Sequence, residues 1–282
     1  MRIVVASGKG GTGKTTIATS LALIAGKSVR FMDCDVEAPN AALFLNPKLA
    51  TRKEVGILLP VVDEALCTHC GKCAAVCEFH AIAVIGKKTL VFPELCHGCG
   101  SCTLICPEKV ISERLAVMGV LESGATVTGI DFARGVMNVG EPMAVPIIRE
   151  LKKWAPANPP AVEIRDSPPG ASCPVVETIR GADFVLLVTE PTPFGLHDLK
   201  QVIGIARELG RPAGVVINRD GIGDNAVEKY CTEANLPILL RIPMERRFAE
   251  AIAAGKTLVE AAPEYRAPFC ALLENIKARA TG

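Results

Sequence analysis

The chain opens on an unbroken apolar run, Ile3-Val4-Val5-Ala6. Short continuous runs of this kind belong to strands covered on both faces, as in a parallel sheet under helices. The pattern predicts a strand over Arg2–Ala6, a Gly-rich loop, a helix from about Lys14 to Ala25, and a second strand, Val29–Asp33, ending on an acid. That order, β-loop-α-β, begins a parallel sheet. Further apolar runs at Val162–Asp166, Phe184–Thr189, Ala213–Asn218 and Ile238–Ile242 alternate with helical stretches such as Leu196–Leu209 and Asn225–Ala234. Leu115–Glu122 and Thr126–Phe132 read as two more strands flanking Ser123-Gly124. The expected fold class is α/β, a mostly parallel sheet with helices on both faces. The final stretch carries Phe269, Leu272, Leu273 and Ile276 on one helical face, and its few basic residues favour packing on its own domain over lying on a membrane.

The alternation breaks after Asn40. Between about Val61 and Ile111, Cys67-x2-Cys70-x2-Cys73-x3-Cys77 recurs as Cys96-x2-Cys99-x2-Cys102-x3-Cys106, with Ala81–Ile85 and Thr89–Phe92 as a short strand pair between them. Such a repeat is the mark of a duplicated unit. C-x2-C-x2-C-x3-C-P is the bacterial ferredoxin run, in which the fourth Cys serves the other cluster. One [4Fe–4S] cluster is then expected on Cys67, Cys70, Cys73 and Cys106, and a second on Cys96, Cys99, Cys102 and Cys77; zinc ribbons are the disfavoured reading. Pro107 follows Cys106, but Glu78 follows Cys77, an acid that could lower the second cluster's potential. His69 and His97 lie inside these loops and are expected to tune hydrogen bonding, since the thiols already complete both sets; His80 and His197 read as structural. The chain is expected to divide into residues 1–60 with 113–282, and an insertion over 61–112.

Composition changes the picture only through cysteine. The chain has 282 residues, 49% hydrophobic and 22% charged, with a net charge of +1, an ordinary globular balance that asks for neither nucleic acid nor anionic lipid. No targeting segment or stretch of membrane-spanning length is visible, which points to a cytoplasmic protein without stable membrane anchoring and so to metal or cluster binding rather than disulfides.

Gly8-Lys9-Gly10-Gly11-Thr12-Gly13-Lys14-Thr15 fits G-x-x-x-x-G-K-[ST], a loop whose N–H groups and following helix cradle polyphosphate. Lys14 would reach the β/γ-phosphates and Thr15 would ligate Mg²⁺. The same glycines fit G-x-G-x-x-G with Asp33 twenty residues on, the dinucleotide fingerprint. Lys14-Thr15 favours the triphosphate, because a dinucleotide needs neither side chain there. Asp33 and Asp35 end the second strand, so these acids face the loop from its carboxyl end; Asp166 ends a later strand.

With Thr16 and the additional Lys9, the loop resembles the deviant Walker A motif of the MinD/ParA/nitrogenase-iron-protein superfamily of P-loop ATPases, and the Cys repeat makes the whole chain resemble the branch with an inserted α+β two-cluster ferredoxin domain. The resemblance implies a homodimer sandwiching two ATP, with Lys9 reaching the partner's nucleotide. It implies that Asp35 orients the attacking water, that Asp33 and Asp166 support Mg²⁺, that Gly170 in Asp166-Ser167-Pro168-Pro169-Gly170 senses the γ-phosphate, and that Asn218, followed by Arg219, recognises adenine. Cys173 matches one ligand of the iron protein's shared cluster, but no Cys stands between Cys106 and Cys173 to supply the other; an interface or structural thiol is favoured, with Cys34, Cys231 and Cys270 as buried small residues. The expected cofactors are ATP/ADP, Mg²⁺ and two [4Fe–4S] clusters. The expected activity is ATP hydrolysis, stimulated by a partner and coupled to electron transfer between a donor and acceptor the sequence does not name. Two alternatives stay open: a carrier or assembly ATPase delivering metal centres to a client, and a Min/Par-like positioning ATPase with a redox-sensing insertion.

Overall fold

The computed structural model describes residues 1–156 and 158–280. β1 (Arg2–Ser7) leads through α1 (Lys14–Ala25) to β2 (Val29–Asp33), and the single turn α2 (Ala42–Leu45) precedes β3 (Lys48–Val62). The Cys-rich stretch holds α3 (Lys72–Ala75), β4 (Ile82–Ile85), β5 (Lys88–Val91) and α4 (Ser101–Ile105). The chain returns along β6 (Ile111–Ala125) and β7 (Asp131–Met137), then continues through α5 (Val145–Lys153), β8 (Val162–Pro169) and α6 (Cys173–Ile179). β9 (Phe184–Thr189), α7 (Pro193–Glu208), β10 (Ala213–Asp220), α8 (Ala226–Glu233), β11 (Ile238–Pro243), α9 (Arg246–Ala253), α10 (Leu258–Ala261) and α11 (Arg266–Ala280) complete it.

Nine strands form one sheet in the order β11-β10-β9-β1-β8-β2-β7-β6-β3. The strands from β11 to β7 are parallel, and β6 and β3 add an antiparallel edge. The apolar opening run is explained by its two coverings. Ile3 and Val5 face a core shared with α1, α10 and α11, while Val4 and Ala6 face one shared with α6, α7 and α8. Phe269, Leu272, Leu273 and Ile276 of α11 lie buried in the first core, so that helix packs on its own domain. Among the described residues no helix is long and apolar enough to cross a membrane.

The expected strands around Ser123-Gly124 are corrected. Gly124 is not a turn but lies inside β6, where a Cβ would come 2.0 Å from the Lys48 carbonyl oxygen of β3. The turn falls instead at Thr126–Ile130, closed by Thr126 N–H donating to Ile130 O at 3.0 Å and Ile130 N–H to Thr126 Oγ1 at 3.0 Å. β3, with Lys48–Glu54 exposed, has no apolar alternation at its start and escapes a hydrophobicity reading.

β3 and β6 make a two-stranded ribbon that outruns the sheet. β6 pairs β7 only over Gly119–Ala125, with Gly119 opposite Met137. Residues 111–118 continue past that point paired with β3 alone, an overhang of about 25 Å at ordinary strand rise. β7 runs parallel to β2, so the overhang rises from the same sheet end as Asp33 and the Gly-rich loop. The Cys-rich stretch sits at its tip, with Leu59 packed against Ala81 and Cys96, and Ile111 against Cys73 and Ile82.

Two glycines test this packing in opposite directions. A Cβ at Gly119 would meet Val136 O at 2.3 Å and Ile147 Cδ1 at 2.9 Å, whereas at Gly204, inside α7, nothing lies within 4 Å. Denaturant melts should find Gly119→Ala destabilising by about 1–3 kcal/mol through overpacking. Gly204→Ala should stabilise by about 0.5–1 kcal/mol through helix propensity; the reverse order would mean the ribbon root is not close-packed against α5.

Candidate functional site

β1 ends at Ser7 and α1 starts at Lys14, so the Gly-rich loop closes over the sheet's carboxyl edge. Gly13 takes φ 89° at the helix start, a left-handed conformation that a side chain would strain, and a Cβ there would strike Asn218. No side chain caps α1, which leaves its first N–H groups open toward a cleft of about 640 Å³, a volume typical of small-molecule sites. Lys9, Lys14, Thr15, Thr16, Asp35 and Asn218 are among its lining residues. Thr12 Oγ1, in the loop, is buried with no partner among the described residues. An open helix N-terminus, an orphaned hydroxyl and a lysine form an arrangement suited to a phosphate group.

The acids stand behind the loop. Asp33 and Asp166 are opposite each other in the β2–β8 register, and both are wholly buried. Asp166 accepts from Lys14 Nζ at 2.7 Å and from Thr15 Oγ1 at 2.6 Å. Asp33 accepts from the N–H groups of Ala41, at 2.9 Å, and Asp35, at 3.2 Å. Neither lines the cleft; Asp35 does. Burial and the facing Asp166 push Asp33 up to about 7, and burial lifts Asp35 to about 6. Burial works to lower the Lys14 ammonium, but Asp166, with Asp35 and Asp33 behind it, outweighs burial and holds it above its ordinary value. Gly170, at φ 96°, donates its N–H to Ser7 O at 3.0 Å, which ties the end of β8 to the start of the loop.

Lys9 is held within its own chain by a salt bridge to Glu190, which is 5% exposed. Glu190 also accepts from Arg219 Nη1 at 2.9 Å, and Arg219 Nη2 donates to Gly11 O at 2.9 Å. Asn218 Nδ2 donates to Thr12 O at 2.7 Å. In this state Asn218 and Arg219 therefore buttress the loop. Sequence reading missed Glu190. The signal was available: it directly follows β9, and strand carboxyl ends are where ligands and their supports collect.

The eight clustered cysteines divide between two cavities. Cys67, Cys70, Cys73 and Cys106 line one; Cys77, Cys96, Cys99 and Cys102 line the other. Each set joins three thiols of one run with the fourth of the other. Among the described residues no group of three or more His, Cys, Asp or Glu side chains stands in a metal-holding arrangement; the thiols ring a space rather than converge on a point. His69 Nδ1 lies 3.3 Å from Thr89 Oγ1, and His97 stacks on Phe79 with centroids 3.7 Å apart. Of the other cysteines, Cys34 and Cys231 are buried and burial pushes the Cys34 thiol up to about 12. Cys270, expected to be buried, is exposed, because the next residue along α11 turns away from the core-facing Phe269. Cys173 is exposed as the first residue of α6.

Comparison with known proteins adds the family. An uncharacterized protein of Methanocaldococcus jannaschii is 30% identical over 267 residues, covering 92% of each chain. A second from the same organism is 34% identical over 228 residues, covering 79% of this chain and 80% of its own. Among solved structures, the septum site-determining protein MinD of Pyrococcus horikoshii, complexed with Mg-ADP, shares the fold with a TM-score of 0.59 at 18% identity, covering 98% of this chain and 95% of its own. The cell division ATPase MinD of Pyrococcus furiosus matches with a TM-score of 0.58 at 20% identity, covering 98% of each. The family model for the CobQ/CobB/MinD/ParA nucleotide binding domain matches residues 3–259, and the chain with its open-ended phosphate loop belongs to that nucleotide-binding family.

Proposed function

We propose that the protein is a dimeric Mg-ATPase whose nucleotide state controls electron transfer through two [4Fe–4S] clusters held at the ribbon tip. The observation that carries this reading is placement: the ribbon overhang rises from the sheet end that carries the phosphate loop. Any change at the loop is therefore made at the foot of the structure that holds the cysteines. The 3+1 division of thiols between the two cavities supports two cubane clusters over mononuclear zinc. When bound, the clusters would supply one-electron carriage. The working division of the chain is 1–60 with 113–282 as the ATPase and 61–112 as the cluster module.

The chain's own residues supply the rest. Loop N–H groups, the α1 N-terminus and Lys14 bind and orient the phosphates, as phosphoryl transfer requires little beyond positioning and charge neutralisation. The Thr15 hydroxyl, now on Asp166, would hold Mg²⁺ together with Asp166 and Asp33, and the metal would supply charge neutralisation for the phosphates. Asp35, the acid that lines the cleft, orients the attacking water. Lys9 leaves Glu190 for the partner's nucleotide as the dimer closes, and Gly170 responds to the γ-phosphate. Asn218 and Arg219 turn from the loop to the base. The Mg-ADP bound by the Pyrococcus horikoshii protein supports the choice of adenine nucleotide.

The test is anaerobic. The reduced protein is examined by EPR before and after Mg-ATP, beside Lys14→Ala. The wild-type cluster signal or midpoint should shift with Mg-ATP and the variant's should not, while hydrolysis falls about 100-fold or more with the lost charge. Clusters that ignore ATP in the wild type would leave the carrier reading as the better one.

The acids give a pH signature. With Asp33 at about 7 in the metal-free site, its proton competes with Mg²⁺ below that pH and leaves above it. The Mg²⁺ concentration that half-saturates hydrolysis should therefore climb from pH 8 to pH 6 in the wild type and much less in Asp33→Asn. A flat wild-type profile would take Asp33 out of the metal site.

A further inference from the structure

The ribbon is not merely set beside the phosphate loop; its root is clasped by segments that continue from both acid-bearing strand ends. On the β2 side, Val36, the residue after Asp35, is buried against Gly135, and its carbonyl accepts from Met137 N–H at 2.8 Å. The next residue, Asn138, donates its N–H to Met118 O at 2.8 Å and its Nδ2 to Val117 O at 3.2 Å. Those carbonyls lie where β6 leaves β7 and becomes the free ribbon.

On the β8 side the path runs through α5. Ile147, Ile148 and Leu151 are wholly buried in one core with Val55, Met118 and Leu121 of the ribbon root. Ile147 sits down on bare backbone: a Cβ on Gly119 or on Gly135 would come within 3 Å of it. From the other end of the same helix, Lys152 Nζ donates to Glu177 Oε1 at 2.9 Å, to the Glu177 carbonyl, and to Arg180 O at 3.1 Å. It thereby holds the Glu177 carbonyl of α6, the helix that starts three residues after Gly170, and shares the Arg180 carbonyl just beyond that helix with Arg165 Nη1 of β8, which also takes Thr178 O. Glu177 is 6% exposed and ringed by cations: Arg149 Nη2 stands 3.6 Å away and Arg180 Nη1 3.5 Å, in addition to Lys152. Burial would raise the Glu177 carboxyl, but these cations hold it below its ordinary value. Parting Lys152 from this site strands its ammonium and opens the carbonyls it holds, while Glu177 keeps Arg149 and Arg180 as the weaker, longer-range partners.

We propose that Lys152 is a positioning residue that locks α6 to α5 and so transmits the position of the Gly170 segment to the ribbon root and the cysteine module. This rests on the reading of Gly170 as the γ-phosphate-responsive segment and gives that reading its mechanical path. α5 is the only helix of the described chain whose buried residues share a core with the ribbon root, so a displacement of α6 reaches the ribbon through it. Loss of the Lys152 ammonium leaves the nucleotide site intact and uncouples the ribbon from it.

The experiment is hydrogen–deuterium exchange on the anaerobically purified full chain, with Mg-ADP against a non-hydrolysable Mg-ATP analogue. It follows peptides from α1, from α6, and from residues 48–62 and 111–125. Lys152→Met keeps the stem length and removes the charge; Glu177→Gln removes the partner's charge from the same α5–α6 link and, with the same loss expected, serves as the second variant should Lys152→Met fold poorly. In the wild type the ribbon peptides should exchange differently in the two nucleotide states. In Lys152→Met that difference should fall about twofold or more, the low end of what residues along a coupling path change, while the α1 difference persists. A variant whose ribbon follows the nucleotide as the wild type does would overturn the relay and leave nucleotide-controlled electron transfer standing. A wild-type ribbon indifferent to nucleotide would overturn both.

Discussion

Everything in the molecule hangs on a buried carboxylate, Asp166, that answers to two donors from one helix turn. Lys14 is 7% exposed and Asp166 not at all, so their pair lies where charges are costly unless matched. The central strands make the match possible. β8 lies between β1 and β2, and its end brings Asp166 beneath the start of α1. The apolar coverage of both faces keeps that strand end dry. Together with the side bonds the pair gives the loop its shape: Lys14 is fastened below, while Asn218 and Arg219 hold the loop carbonyls from the side.

Those fastenings are the contacts that a nucleotide must exchange. On the proposed function, Lys14 would serve phosphate as well as Asp166, Thr15 would release a carboxylate to reach a metal, and Lys9 would leave Glu190. The charged groups are matched within the chain, while the Thr12 hydroxyl and the first N–H groups of α1 stay open toward the cleft. Binding then trades one matched set for another, and the small net difference between large terms is the condition under which a ligand shifts a conformational balance.

The parts legible in the sequence are those whose meaning is local. The phosphate loop spans a few residues, and the apolar runs of β1, β2 and β9 declare strands by continuity alone. The division of the eight cysteines between two cavities is the exception legible at long range, because it follows the fourth-thiol rule of the duplicated spacing. What escaped needs tertiary neighbours to be seen. Glu190 matters through Lys9, 181 residues away. β3 is polar over its first half because its partner β6 leaves it at the sheet edge, and Gly124 reads as a turn until Lys48 is known to lie against it. The clasp of Lys152 on Glu177 looks, in sequence, like an ordinary basic helix end.

The place of the Cys-rich stretch within the chain has a physical consequence. It departs after Asp35 and returns before Asp166, so the ribbon's two strands lie in the chain between the strand ends that carry the buried acids. A module attached at a terminus would be linked by one strand and free to pivot; here both strands are hydrogen-bonded to each other from Lys48 to Val62, and the root is pinned by Asn138 and Ile147. A long two-stranded lever with a fixed root converts a small shift at its foot into a larger one at its tip. With the root gripped from the β2 side by Val36 and from the β8 side by α5, the γ-phosphate response proposed for the Gly170 segment would have to pass through these grips to reach the tip.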